Sequence, residues 1–211
     1  MKNRRVVHFA VTPVLSRLQR KPDMQIGFYF DQSRCTGCYT CSIACKDWHD
    51  ISDTSVHWRS IIPLEKGSYP DVTLSYVSLS CNHCEDPACV KACPANAITK
   101  REEDGIVVVN KQKCLGNDNC DMLCKKACPY SAPQFGDEVN AKMQMCTLCL
   151  DRAVEHKKPI CVEACPMRAL DAGPLEELKA HYGDIQEVEG FTHSKKTKPS
   201  IIFKPRYNSK P

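Results

Sequence analysis

The sequence predicts an α+β fold of short strands, hairpins and short helices, built around cysteines rather than a large hydrocarbon core. Three observations carry that expectation. Sixteen cysteines stand among 211 residues, in four groups of four. A strand-and-loop pattern repeats, because Phe28-Tyr29-Phe30-Asp31-Gln32-Ser33-Arg34-Cys35 aligns without a gap to Val107-Val108-Val109-Asn110-Lys111-Gln112-Lys113-Cys114. Each copy runs from three apolar residues through Asp or Asn to a base and a cysteine, as one supersecondary unit would. Apolar residues make up 42% of the chain, but that figure includes the cysteines. Much of the fold is therefore expected to form around bound inorganic material. The length allows one or two domains.

The elements follow in order. A strand over Gln25–Phe30 feeds the first motif, Cys35-x2-Cys38-x2-Cys41-x3-Cys45. Val72–Leu79 alternates as a strand and leads into the second, Cys81-x2-Cys84-x4-Cys89-x3-Cys93, followed by Pro94. Ala97-Ile98-Thr99 and Ile106–Val109 flank Glu103-Asp104-Gly105, where the Asp-Gly pair predicts a hairpin. The third motif is Cys114-x5-Cys120-x3-Cys124-x3-Cys128, then Pro129. The fourth is Cys146-x2-Cys149-x11-Cys161-x3-Cys165, then Pro166, and its long gap Leu150–Ile160 has room for a short helix. Arg168-Ala169-Leu170-Asp171 takes the place that Ala97-Ile98-Thr99 holds after the second motif. Pro174–Tyr182 reads as an amphipathic helix with Leu175 and Leu178 on one side and Gly183 as its stop. The tail from Thr192 is basic and contains Ile201-Ile202-Phe203; it is either a loose end or an arm that docks on a partner subunit.

The spacing carries the chemistry. In the first motif one loop can wrap three thiols around one face of an iron–sulfur cube, while the fourth must reach a second cube. Each x3 gap reads as the first turn of a short helix. Ala44, Ala92, Ala127 and Ala164 precede the last cysteine of each motif and let the backbone come close. The following proline redirects the chain; the first motif has Lys46 there instead. Loop N–H groups are expected to point at sulfur and stabilise its negative charge. A disulfide scaffold fits poorly, since such scaffolds are short secreted chains and CxxC pairs close badly. Structural zinc is the other alternative, but a tetrahedral site does not need three ligands in one tight loop.

Charge and hydropathy exclude other classes. The formal charge is +4. A four-iron core held by four thiolates is a unit of about −2, so four of them would bring the whole to about −4. The basic excess thus compensates buried anions. No Lys/Arg run with interleaved aromatics points to nucleic acid, and no apolar stretch is long enough to span a membrane. Arg4-Arg5 resembles a twin-arginine signal, but Val6–Leu15 is short and holds His8 and Pro13, so a mobile extension is the expectation. There is no phosphate-cradling glycine loop and no nucleophilic serine motif. His49, beside Trp48, and His57-Trp58 read as packing or partner-contact residues. His83, inside CNHC, reads as a neighbour that tunes a cluster. No residue is expected to be catalytic.

Gly27–Asp50, Cys81–Pro94, Arg101–Val109, Cys128–Phe135 and Lys158–Gly173 resemble the four-cluster iron–sulfur electron-transfer subunit of molybdopterin oxidoreductases, the dimethyl sulfoxide reductase family. The resemblance runs from about residue 25 to 205. It implies two bacterial-ferredoxin-like modules, one inserted in the other, holding four [4Fe-4S] clusters. The outer module would span 25–75 and 140–185, and the inserted module 76–139. An N-terminal extension of 1–24 and a C-terminal docking tail of 186–211 would flank them. By position, Cys35, Cys38 and Cys41 would share a cluster with Cys165, and Cys146, Cys149 and Cys161 with Cys45. Cys81, Cys84 and Cys89 would share one with Cys128, and Cys114, Cys120 and Cys124 with Cys93. The family usually has CxxCxxCxxxC at the third motif. The longer gaps here leave open a three-iron cluster or an Asp118 oxygen ligand. The implied partners are a molybdopterin catalytic subunit and a membrane anchor subunit that handles quinol. The chain would then be membrane-associated through partners, at the cytoplasmic face or exported with the catalytic subunit. The equivalent subunit of a formate dehydrogenase or sulfur-compound reductase is the related alternative.

Overall fold

The computed structural model describes residues 24–206. The expected extension and its Arg4-Arg5 pair therefore fall outside the described residues, apart from Met24.

In chain order the elements are β1 (Ile26–Asp31), α1 (Thr40–Trp48), β2 (Arg59–Ser68), β3 (Asp71–Ser80), α2 (Ala88–Ala92), β4 (Ile98–Lys100) and β5 (Val107–Val109). They continue with α3 (Asn117–Cys120), α4 (Leu123–Ala127), α5 (Leu150–Ala153), α6 (Ile160–Glu163), β6 (Leu170–Pro174), α7 (Leu175–Tyr182) and β7 (Ile201–Lys204). β1 is the middle strand of a three-stranded sheet, antiparallel to β6 and parallel to β7. Strand alternation sends its side chains to two layers. Phe28 and Phe30 enter the main core with the cysteines. Tyr29 joins Ile202 and Leu178 in a second small cluster under α7. The Tyr29 and Tyr182 rings stack at 3.7 Å. So α7 has the expected bounds and a reason to exist: it covers the outer face of the sheet.

The tail corrects one expectation. Ile201-Ile202-Phe203 is neither loose nor an arm on another subunit; it is a buried strand of this chain's own sheet. Phe203 is 0% exposed and meets Phe30 edge-on. Three consecutive apolar residues are what a strand covered on both faces requires.

The strand-and-loop repeat extends to single hydrogen bonds. The Asp31 carboxylate accepts from the N–H of Ser33 at 2.9 Å, and the Asn110 side chain accepts from Gln112 at 2.9 Å. Both are Asx turns that swing the chain from strand to cysteine loop. β4 and β5 pair as the predicted hairpin, Ile98 opposite Val109, with Gly105 at φ 69° in its loop.

β2 has no counterpart among the expected strands. It pairs along its whole length with β3, Arg59 opposite Ser80 and Ser68 opposite Asp71. Pro63 interrupts its apolar run, which hides the strand in the sequence. Proline is tolerated there because this two-stranded sheet leaves one side of each strand unpaired. The base of the hairpin enters the core and its tip is exposed.

Each x3 gap does lie in or beside a short helix. α1 carries Cys41 and Cys45, α2 carries Cys89, α4 carries Cys124 and α6 carries Cys161. The gap Leu150–Ile160 holds α5 and the start of α6. α1 packs on α6, and α2 on α4. Among the described residues no helix is long and apolar enough to cross a membrane.

Candidate iron–sulfur centres

All sixteen cysteines are free thiols, so they build no disulfide scaffold. They gather by motif and then across motifs. Cys35 lies within electrostatic reach of Cys38, Cys41 and Cys165. Cys45, one helical turn after Cys41, instead faces Cys146, Cys149 and Cys161. Cys84 and Cys89 both lie near Cys128. Cys124 lies near Cys93, Cys114 and Cys120. Neighbouring groups come within electrostatic reach of each other: Cys41 of Cys161, Cys81 of Cys146, and Cys89 of Cys124. The groups therefore run in one line, from the first motif to the fourth, the second and the third.

Two cavities show what such a group encloses. One is lined by Cys35, Cys38, Cys41 and Cys165 together with the residues around them. The other is lined by Cys93, Cys114, Cys120 and Cys124 together with the residues around them. The altered third motif thus brings four thiols around one pocket, as the regular first motif does. Asp118 does not line it. Its exposed carboxylate accepts from the Asn140 N–H at 2.7 Å, so the lengthened gap forms α3 and a turn toward Asn140 rather than offering an oxygen ligand.

Local backbone makes these loops possible. Gly37 has φ 68°, and a Cβ there would meet the Tyr76 ring at 2.3 Å, so only glycine lets the first loop pass under that ring. Amides point at sulfur as expected. The N–H groups of Ala97, Met143, Leu148 and Ala169 reach Cys93, Cys114, Cys146 and Cys165 at 3.3–3.4 Å. Ala97 and Ala169 stand four residues after equivalent cysteines, another trace of the repeat.

Burial dominates the acidity of the thiols. It pushes Cys84 and Cys124 up to about 11, and Cys89 and Cys149 up to about 12. The exposed Cys38 goes the other way, because the Thr40 hydroxyl hydrogen-bonds it. A metal that binds here displaces protons.

Three polar side chains serve the thiols. His83 is 0% exposed and burial drives it down to about 3, so it is neutral at physiological pH. Its Nδ1 accepts from the Val107 N–H at 3.1 Å and lies 4.0 Å from Cys81 Sγ. Its carbonyl accepts from Gln25 and Ser200, at 3.0 Å each. His83 thus ties the CNHC loop to β5, β1 and the approach to β7. His49 does more than pack on Trp58: its Nε2 is 3.3 Å from Cys149 Sγ. Its neighbour Trp48 donates to Asp151 and lies under Arg152, which fixes α1 against the fourth motif. His57 and Trp58 are contact residues, bonded to Gln134 and Gln144. Arg59 is the residue that sequence reasoning missed. It is 2% exposed, and the sulfurs of Cys161, Cys41, Cys146 and Cys45 lie within electrostatic reach of its guanidinium, opposite charges once they are thiolates. Burial works against its charge, but a guanidinium keeps its proton, so a fixed cation stands among those sulfurs. Only the hidden strand β2 carries it inward; nothing in its local sequence marks it.

Grouped thiols, amides aimed at sulfur and four-thiol cavities fit iron–sulfur clusters. Fold and site together define a cysteine-ligated iron–sulfur protein. A family model described as a 4Fe-4S dicluster domain matches residues 72–175. The sequence is 48% identical over 195 residues to the B subunit of anaerobic dimethyl sulfoxide reductase from Escherichia coli K12, covering 89% of this protein and 92% of that one. It is 43% identical over 190 residues to the B subunit of the Haemophilus influenzae enzyme, with 86% and 89% covered. It is 32% identical over 170 residues to the formate dehydrogenase-O iron-sulfur subunit of E. coli K12, with 74% and 55% covered. The protein belongs to the family of anaerobic dimethyl sulfoxide reductase B subunits. It carries [4Fe-4S] clusters and transfers electrons, and it is not a catalytic subunit. The zinc alternative is thereby set aside.

Proposed function

We propose that the sixteen thiols hold four [4Fe-4S] clusters in two nested pairs. The outer pair is Cys35, Cys38, Cys41 with Cys165, and Cys146, Cys149, Cys161 with Cys45. The inner pair is Cys81, Cys84, Cys89 with Cys128, and Cys114, Cys120, Cys124 with Cys93. The outer ferredoxin-like module spans 25–75 and 140–185, and the inner one 76–139. When bound, each cluster supplies a one-electron couple, within a range of roughly −700 to +450 mV. The protein's share is to exclude water, to aim amides at sulfur, and to hold the groups in line. That linear order is the observation that carries the reading. It has an exposed end at Cys38 and a far end at the third motif.

The sequence resemblance implies the setting. The chain relays electrons between a membrane subunit that handles quinol and a molybdopterin catalytic subunit of the dimethyl sulfoxide reductase kind. It is held at the membrane by those partners. Anaerobic purification tests the proposal. The protein should be brown with about sixteen irons, and EPR-monitored titration should resolve four centres. Mixed with the catalytic subunit, the reduced protein should reoxidise when dimethyl sulfoxide is added. A colourless protein, or one whose centres ignore the oxidant, would sink the proposal.

A further inference from the structure

Arg59 opens β2 as a buried charge, and a buried charge persists only when paired. Its Nη1 donates to Ser78 Oγ at 3.1 Å and its Nη2 to Ser80 Oγ at 2.9 Å, both on β3. The guanidinium carbon lies over the Phe28 ring, 4.6 Å from its centroid. Two hydroxyls and a ring fix the group but do not neutralise it. Nε is buried with no hydrogen-bond partner. Ser78, to which Nη1 donates, stands 3.7 Å from Cys41 Sγ of one outer set, and the sulfurs of Cys45, Cys146 and Cys161 of the other lie within electrostatic reach.

We infer that Arg59 is the shared countercharge of the two outer clusters, held by Ser78, Ser80 and Phe28 where it faces both thiol sets. This rests on the outer cluster assignment proposed above. Reduction adds a negative charge to a cluster unit that is already anionic. A fixed cation nearby stabilises the reduced form more than the oxidised one and raises the potential. Burial keeps salt from screening it. Ser80, which Arg59 bonds, adjoins Cys81, and the Arg59 charge acts on His83, so the second-motif set lies at the edge of its reach; the third-motif set lies furthest along the line.

The test compares Arg59→Met and Arg59→Lys with the wild type in the full-length protein, using iron content and EPR-monitored redox titration. Cys41→Ser and Cys45→Ser assign the outer signals. Arg59→Met should favour the oxidised form of both outer clusters about tenfold, which is 59 mV for one electron. The third-motif cluster should stay unmoved, and Arg59→Lys should shift the outer pair far less. A loaded Arg59→Met protein with unmoved outer potentials, or with all four shifted alike, overturns the inference. If Arg59→Met does not take up the outer iron, Arg59→Lys decides: retention supports the charge role and equal loss refutes it. A wild-type protein without these centres fails at the cluster assignment itself and takes the inference with it.

Discussion

Cys45→Ser separates a cluster held by one loop from a cluster shared between distant motifs. Cys41 and Cys45 are one turn apart on α1, yet Cys45 faces Cys146, Cys149 and Cys161. The serine leaves a buried hydroxyl at a site 4% exposed, in place of a thiolate ligand. Such an unpaired group costs about 1–3 kcal/mol, small beside the loss of a metal–ligand bond. The damage should therefore fall on one centre and spare the fold. Iron should drop from about sixteen to about twelve if the cube is lost, or to about fifteen if it survives as a three-iron centre, with four irons per cube. The EPR signal that changes should belong to the fourth motif, and the signal of Cys35, Cys38, Cys41 and Cys165 should persist. Cys165→Ser should give the reciprocal result, removing the centre of the first loop. If each serine instead abolishes the centre of its own motif, the crossed pairing is wrong.

Other consequences are open to measurement. Phe203→Ala empties a fully buried site in β7, at a cost of about 3–5 kcal/mol. A thermal midpoint lower by roughly 6–20 °C should follow, and an unchanged midpoint would mean that the tail is dispensable. His49→Phe keeps the contact with Trp58 but removes the partner of Cys149 Sγ. The fourth-motif cluster should become harder to reduce while the third-motif cluster holds its potential; equal shifts in both would count against a local hydrogen bond. The buried thiols bring a dependence on pH. Cys84, Cys89, Cys124 and Cys149 are raised to about 11–12 from an unfolded value near 8.5. Their sign is that of acids kept neutral by folding, so the support they give the metal-free protein is complete below about pH 8.5. It is lost as pH rises through about 11–12. Cluster assembly runs against those protons. Uptake of iron and sulfide in weak buffer at about pH 7 should acidify a dye-monitored solution, and uptake without acidification would contradict the protonated resting state.

The chemistry of this protein is written in short-range spacing. Cysteine gaps of two and three residues act over a single loop or helical turn, so they report ligand geometry directly. The Asp31 and Asn110 turns, the helices at the x3 gaps, the β4–β5 hairpin and α7 were legible for the same reason. Each depends on residues a few positions apart. Folding in three dimensions settles what lies far apart in the sequence. It made Ile201–Phe203 an inner strand, because only beside β1 do those residues have two faces to bury. It paired β2 with β3 despite Pro63, and so drew Arg59 into reach of two thiol sets. It turned His49 onto Cys149 and Asp118 toward Asn140. These lack a local signature because the partners stand far apart: Ile201–Phe203 lie 173 positions from their β1 partners, His49 lies 100 from Cys149, Asp118 lies 22 from Asn140, and Arg59 lies 19 and 21 from Ser78 and Ser80.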